Sequence, residues 1–161
     1  MIKQLNPAEF SIAAELIRKS FSTVAKEFGL TAQNCPTHTS FITTEDIQKH
    51  FEWGWLMYGF YEDNQIVGHI SISKSQETDG AYEPHNLAVL PEYRHKGYGK
   101  QLLDFCKAKA KDLGGTKLHI GIIEENTVLK NWYAANGFIH TGTKRFPQFP
   151  FIVGFMEWEV V

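Results

Sequence analysis

The segment Leu87 to Leu103, LAVLPEYRHKGYGKQLL, joins an apolar strand to an amphipathic helix through a turn rich in basic residues and glycine. Glycines at 97 and 99 remove side chains where the helix begins. The free N–H groups there can approach an anion closely, and the helix dipole favours negative charge. Arg94, His95, Lys96 and Lys100 concentrate positive charge at the same place, in a chain whose 16 Lys plus Arg are outnumbered by 18 Asp plus Glu. These residue types at this spacing describe a cradle for phosphate. A P-loop would need Gly at position 93 or 94 and Ser or Thr after the lysine, where the chain has Tyr93, Arg94 and Gln101. A dinucleotide fingerprint starting at Gly97 would need a third glycine where Leu102 stands. Read by itself, the pattern also fits a flexible basic turn.

The same residues resemble the central motif of the GNAT superfamily, whose members transfer an acetyl group from acetyl-coenzyme A to an amine. That motif is a strand, then Gln or Arg, two variable residues, Gly, one variable residue, and Gly or Ala opening a helix. Arg94, Gly97 and Gly99 match it residue by residue, and Leu87, Ala88, Val89 and Pro91 resemble the strand end that precedes it. The resemblance implies that the N–H groups of Arg94, His95, Lys96, Gly97, Tyr98, Gly99 and Lys100 bind the coenzyme A pyrophosphate. It also implies that main-chain groups of Leu87, Ala88 and Val89 pair with the pantetheine arm through a splay between this strand and the next. A second match lies downstream: Asn126, then Tyr133, then Asn136, Gly137 and Phe138. In the family this order implies an Asn that contacts the coenzyme, a helix Tyr beside the sulfur and a closing Gly-Phe. Read without the family, Asn126 is the N-cap of its helix, and Tyr133, four residues after Leu129, is an ordinary core aromatic. The two motifs together cover about residues 55 to 145.

Amine acetylation makes demands of its own. An alkyl amine has a pKa of about 10.4 and is mostly ammonium near neutral pH, while only the neutral form attacks a thioester. A base must take that proton. Glu83 and His85 stand two apart and are expected to share one strand face with Leu87 and Val89. Glu83 occupies the position where some family members place a general-base glutamate and ranks first, His85 second; a solvated Glu before Pro84 and a polar surface His are the plain alternatives, and many relatives use water chains. The resemblance assigns the oxyanion donor to the Val89 N–H and the proton donor for the leaving thiolate to Tyr133. The implied route is direct attack in a ternary complex, so neither Cys35 nor Cys106 serves as nucleophile.

Several elements must position these groups. Asn6, Pro7 and Glu9 read as N-cap, N1 proline and capping-box acid of a helix reaching about Phe21, with Phe10, Ala13, Ala14, Ile17 and Phe21 on one stripe. Residues 29–40 read as a loop, and Thr43 or Thr44 opens a second helix through about Phe51. Leu56 to Glu62 and Ile66 to Ser73 form a hairpin, and Asn86 to Leu90 a third strand. A helix then carries Leu102, Cys106, Ala110 and Leu113 to its stop at Gly114 and Gly115. Leu118 to Ile123 is a strand, Thr127 to Asn136 a helix, and two last strands surround the Pro147 and Pro150 turn. The expected fold is α/β (α+β): a mixed, mostly antiparallel central sheet flanked by helices on both faces, GNAT-like, forming one domain over residues 1–161.

Composition agrees with such a domain. The 161 residues are 43% hydrophobic and 21% charged, enough apolar content for a packed core. A net charge of -2 gives no drive toward nucleic acid or anionic lipid. No apolar run approaches the roughly 20 residues of a membrane span, and the polar amino terminus lacks a secretory pattern, so a cytoplasmic location without membrane attachment is expected. The two cysteines match neither a disulfide scaffold nor a CxxC motif. Seven histidines include no metal-ligand pairing, so no metal is expected. Among the aromatics from Phe51 to Tyr61, Trp53 and Tyr58 are candidate walls of an acceptor pocket. The expected function is N-acetyl transfer from acetyl-coenzyme A to a primary amine of a small molecule or peptide, with a homodimer among the allowed assemblies. A non-catalytic coenzyme A or acyl-CoA binding module or sensor, and a nucleotide-binding regulator using the same turn, are the rival readings. Gly97→Asp or Gly99→Asp is expected to abolish coenzyme A binding by setting a carboxylate where the diphosphate would lie; unchanged affinity by calorimetry would contradict the proposed site.

Overall fold

In the computed structural model, which describes residues 1–161, Asn6 accepts a hydrogen bond from the Ala8 N–H at 2.9 Å and Glu9 accepts one from the Asn6 N–H at 3.1 Å. The capping box thus forms, but around a single 3₁₀ turn, Pro7–Glu9, after which helix α1 spans Phe10–Glu27. Helix α1 passes its expected end at Phe21 because its later turns still bury an apolar face: Ala25 packs with Leu30, Cys35 and Ile123 in a small third core. Thr43 accepts from the Asp46 N–H at 3.1 Å and opens α2, Thr44–Glu52.

Seven strands follow the order β1-β2-β3-β4-β5-β7-β6 in one sheet. They are β1 Ile2–Gln4, β2 Leu56–Glu62, β3 Gln65–Lys74, β4 Ala81–Val89, β5 Lys117–Ile123, β6 Ile139–Arg145 and β7 Ile152–Glu159. Every pairing is antiparallel except that of β4 with β5. Helix α3, Tyr98–Asp112, supplies the crossover between those two, and α4, Thr127–Ala135, follows β5. The three-residue β1 is too short to display an alternation and was not expected. Asp63 and Asn64 join β2 to β3 with φ of 51° and 63°, the left-handed pair that suits a two-residue hairpin.

Helices cover both faces. On one, Phe10, Ala13, Ala14 and Ile17 of α1 and Ile47 of α2 pack on Met57, Tyr61 and Ala88. On the other, Leu102, Leu103, Cys106 and Ala110 of α3 and Tyr133 of α4 pack on Tyr58, Phe60, Ile70 and Leu118. Tyr58 therefore belongs to the α3 core and walls no acceptor pocket. No helix is long and apolar enough to cross a membrane.

Strand β4 begins at Ala81 and carries a bulge that changes which residues share a face. Ser73 pairs with Glu83 and Ser71 with His85, yet His69 pairs with Ala88, so Asn86 and Leu87 together oppose Ile70. Asn86 takes φ 52° to make the insertion. One extra residue inverts the alternation. Glu83 and His85 consequently lie on the α1/α2 face, whereas Leu87 and Val89 pack toward the α3 core, a correction to the single face expected from spacing alone.

Two imidazoles lie on the α1/α2 face, His69 buried and His85 half-buried. Burial holds the His69 and His85 rings down to a pKa of about 4, with His50 nearby adding to both shifts. Both are neutral in the native state, while an unfolded histidine takes up its proton near pH 6.5. The unfolded chain therefore binds more protons between those values. Stability is complete above about pH 6.5 and falls as the pH drops toward 4. Urea unfolding across pH 8 to 4 is expected to trace this loss, with a shallower slope in His69→Asn; equal slopes for both proteins would contradict it.

Candidate functional site

Strands β4 and β5 pair only at Ala81 with Lys117 and Tyr82 with Leu118. Beyond Tyr82 they part, and a wedge opens between them. Leu90 donates its N–H to Val67 O at 2.9 Å on the β3 side. Strand alternation therefore turns the main-chain groups of Val89 and Leu87 the other way, into the wedge. Ala88 pairs with His69 and its side chain is buried in the α1/α2 core, so Leu87 and Val89, not Ala88, reach the opening.

The basic turn stands at the mouth of this wedge. His95 and Gly97 have φ of 64° and 82°, and Gly97 is the N-cap of α3. Left-handed residues at such spacing gather successive N–H groups into one concavity. The α3 ladder opens with the Gln101 N–H donating to Gly97 O at 3.1 Å, leaving the amides of His95 through Lys100 outside it. Arg94 is different: its amide donates to Pro91 O at 3.2 Å, and its guanidinium donates to Ser20 O of α1 at 2.8 Å. Lys100 pairs with Asp104 at 2.6 Å, and Lys96 lies over the Tyr93 ring. Tyr98 stacks on Phe60 and donates its hydroxyl to Glu62, which fixes the start of α3 against β2. Open space lies where a Cβ at position 97 would sit, while a Cβ at 99 would lie 3.7 Å from Trp132 and 3.9 Å from Val89. Helix α4, the turn and the end of β4 thus converge on one spot.

Helix α4 carries the other two residues that the motifs point to, Asn126 at its N-cap and Tyr133 on its buried face. Asn126 is buried and caps the helix, its Oδ1 accepting from the Leu129 N–H at 3.2 Å. Tyr133 is buried against Trp132 and Phe138, and burial, with Cys106 close by, raises its phenol well above the ordinary value of 10. It stays protonated at any physiological pH and can act only as a proton donor. Cys106 is itself buried, its thiol pushed up to about 12.

Across the sheet, Glu83 and His85 face the α1/α2 side beside Ser73. Glu83 takes part in none of the ion pairs. His85 Nε2 lies 2.7 Å from Ser73 Oγ, and its ring stacks on Trp55 at 4.0 Å, which in turn stacks on His50 at 3.9 Å. Trp53, 67% exposed, lines an open cleft of about 340 Å³ with Trp55, Ser73 and Lys74. His69, Ser71, Ser73 and Trp55 were not singled out from the sequence. The signal for the first three is the run His69, Ser71, Ser73, polar at every second position of an otherwise apolar strand.

Solved structures similar to this chain agree with the fold. The PaiA N-acetyltransferase from Thermoplasma acidophilum, solved in complex with coenzyme A, aligns at TM-score 0.74 and 20% identity, covering 99% of this chain and 98% of that one. The ribosomal-protein-S18-alanine N-acetyltransferase from Escherichia coli aligns at TM-score 0.77 and 13% identity, covering 99% and 93%. Among curated relatives, an uncharacterized N-acetyltransferase of Lactobacillus delbrueckii subsp. lactis is 26% identical over 106 residues, 63% of this chain and 58% of the relative. An amino-acid acetyltransferase of Pseudomonas putida is 36% identical over 61 residues, 38% of this chain and only 13% of that protein. The chain thus spans little more than half of the first relative and a small part of the second. The model of the acetyltransferase (GNAT) family matches residues 17–138, most of the chain and both motif regions, and the chain belongs to that family.

Proposed function

We propose that the chain is an N-acetyltransferase that moves an acetyl group from acetyl-coenzyme A to a primary amine of a small molecule or peptide, by direct attack in a ternary complex. The observation that carries this reading is the set of ladder-free amides from His95 to Lys100 standing at the mouth of the β4/β5 wedge. Those amides, the left-handed backbone at His95 and Gly97 and the open space beside Gly97 fit a diphosphate. Leu87 and Val89 offer main-chain groups along the wedge for an extended amide-bearing arm, and Asn126 lies at its α4 side. Acetyl-coenzyme A, as cosubstrate, supplies the thioester. The names of the two functionally described proteins above, acting on an amino acid and on a protein alanine, support an amine acceptor of that general kind.

The chain's own groups then divide the work. Glu83, on the acceptor face and free of ion pairs, takes the ammonium proton directly or through water, so that the amine lone pair can attack the thioester carbonyl. His85 is neutral but engaged with Ser73 and clamped by Trp55, and serves as the second candidate for that proton. The Val89 N–H, turned into the wedge, donates to the oxygen as it gains negative charge. When the carbon–sulfur bond breaks, Tyr133 gives its proton to the departing thiolate; the second proton, which the former amine nitrogen sheds as the amide forms, passes to solvent, and solvent reprotonates the phenol. A phenol whose pKa is raised by burial holds its proton until that moment.

Tyr133→Phe is expected to lower kcat by about 100-fold, the lower range for a general acid, while leaving the coenzyme A dissociation constant within about twofold. Thiol release over a panel of amines, with calorimetry in parallel, checks both quantities. Equal loss of binding would make Tyr133 structural. Tight coenzyme A binding with no thiol release from any amine would favour the non-catalytic module, and thermal protection by ATP but not acetyl-coenzyme A would favour the nucleotide-binding regulator.

A further inference from the structure

The bulge in β4 is held from the neighbouring strand by two side chains that have no other work. His69 and Ser71 of β3 are 1% and 0% exposed, the two most deeply buried polar residues of the chain. Ser71 Oγ–H donates to His85 O at 3.3 Å, and His69 Nδ1–H donates to Asn86 O at 3.0 Å. These are consecutive carbonyls at the point where the ladder slips. The acceptor at Asn86 is a carbonyl, so the proton of the neutral ring must sit on Nδ1. His69 Nε2 is then a buried lone pair, and it has no partner. Burying an unpaired acceptor is costly, so the ring is explained by what its other nitrogen does.

The carbonyl it holds is the one that most needs holding. Asn86 sits at φ 52°, a left-handed conformation that asparagine tolerates better than most residues, so the bonds from the neighbouring strand decide whether the extra residue stays at this point of β4. Just beyond it stand Leu87 and Val89, whose main-chain groups turn into the wedge. If Asn86 relaxed, β4 would lose its extra residue or shift it, and every group after it would change face. The Val89 N–H would leave its place at the thioester carbonyl.

We infer that His69 is a positioning residue: through its Nδ1–H on Asn86 O, supported by Ser71 on His85 O, it locks the β4 bulge and thereby aims the main chain of Leu87 to Val89 at the reacting thioester. The kinetic part of this inference rests on the acetyl-transfer reading; the locking of the bulge does not. His69 touches neither substrate, and its effect passes entirely through the strand.

Two variants separate the roles of the two ring nitrogens. Asn places an amide N–H close to where Nδ1 lies and preserves the bond to Asn86 O; Gln reaches instead toward the site of Nε2. His69→Asn is expected to keep kcat within about threefold of the natural chain. His69→Gln is expected to lower kcat by up to about 100-fold, the penalty for an ångström of misplacement, with the acetyl-coenzyme A dissociation constant within about threefold. Amide hydrogen exchange at Ala88 and Leu90, whose N–H groups face β3, reads the bulge directly: faster in His69→Gln, restored in His69→Asn, and also faster in Ser71→Ala, a conservative change. Natural-like exchange at these amides in both His69→Gln and Ser71→Ala overturns the inference, as does His69→Asn exchanging as fast as His69→Gln. Should the natural chain release no thiol from any amine, the acetyl-transfer reading fails, while the exchange comparison still decides whether His69 locks the bulge.

Discussion

Everything about this molecule turns on strands β4 and β5 parting after two residue pairs. A main-chain N–H or C=O inside a protein must find a partner, and a sheet that splits leaves a column of them without one. Here the split is held open from both sides. Helix α3 begins shortly after β4 ends, and Trp132 of α4 lies against its first turn. On the far flank β4 keeps its full pairing with β3, bulge included. The unpaired column of Leu87 and Val89 is thus an edge maintained inside a sheet, which is an arrangement suited to pairing with an extended amide-containing ligand rather than to stabilising the chain alone.

The division of labour between main chain and side chains follows from the same geometry. Four basic residues crowd the turn, yet Arg94 is spent on α1, Lys100 on Asp104, and Lys96 on the face of Tyr93. What is left for an anion is a set of fixed dipoles: the amides of His95 to Lys100. Amides need no rotamer to be frozen when a ligand arrives, so under the proposed function they would bind a diphosphate at low entropic cost. The Arg94 guanidinium serves the site indirectly by tying the turn to the C-terminal half of α1, which in turn packs through Ala25 against Ile123 at the end of β5. Both rims of the wedge are therefore braced by the same helix.

Local chemistry made much of this readable. The capping residues Asn6 and Thr43 and the left-handed Asp63 and Asn64 act within a few residues of themselves, and each did what its type dictates. The spacing of Gly97 and Gly99 announced the turn for the same reason. Helix α1 outran its expected end because the apolar partner of Ala25, Ile123, lies far along the chain. The shared face expected for Glu83, His85, Leu87 and Val89 failed on a single residue, since a period-two argument presumes an unbroken strand and Asn86 breaks it. A bulge is decided by what the neighbouring strand offers, and His69 and Ser71 sit more than a dozen positions away. Their alternation with apolar residues was visible; that they aim at the carbonyls of β4 is a fact of register and has no local signature.

Register also bears on which group takes the proton from the amine. The bulge puts Glu83 and His85 on the opposite face of the sheet from the side chains of Leu87 and Val89, while the main chain of Val89 remains at the wedge. In the proposed reaction an amine arriving from the α1/α2 side would meet the base on its own face and the thioester at the edge between faces, so that one strand would supply both proton acceptor and oxyanion donor without the two competing for space. Of the two acids and bases available there, His85 has one nitrogen committed to Ser73 and its ring pressed between Trp55 and the strand, a setting that keeps it neutral by burial and gives it little freedom. Glu83 takes part in no ion pair and stands opposite Ser73, which lines the open cleft at Trp53. The stacked His50, Trp55 and His85 rings form a rigid wall on that face of the strand, an arrangement that supports the proposal of Glu83 over His85 as the proton acceptor.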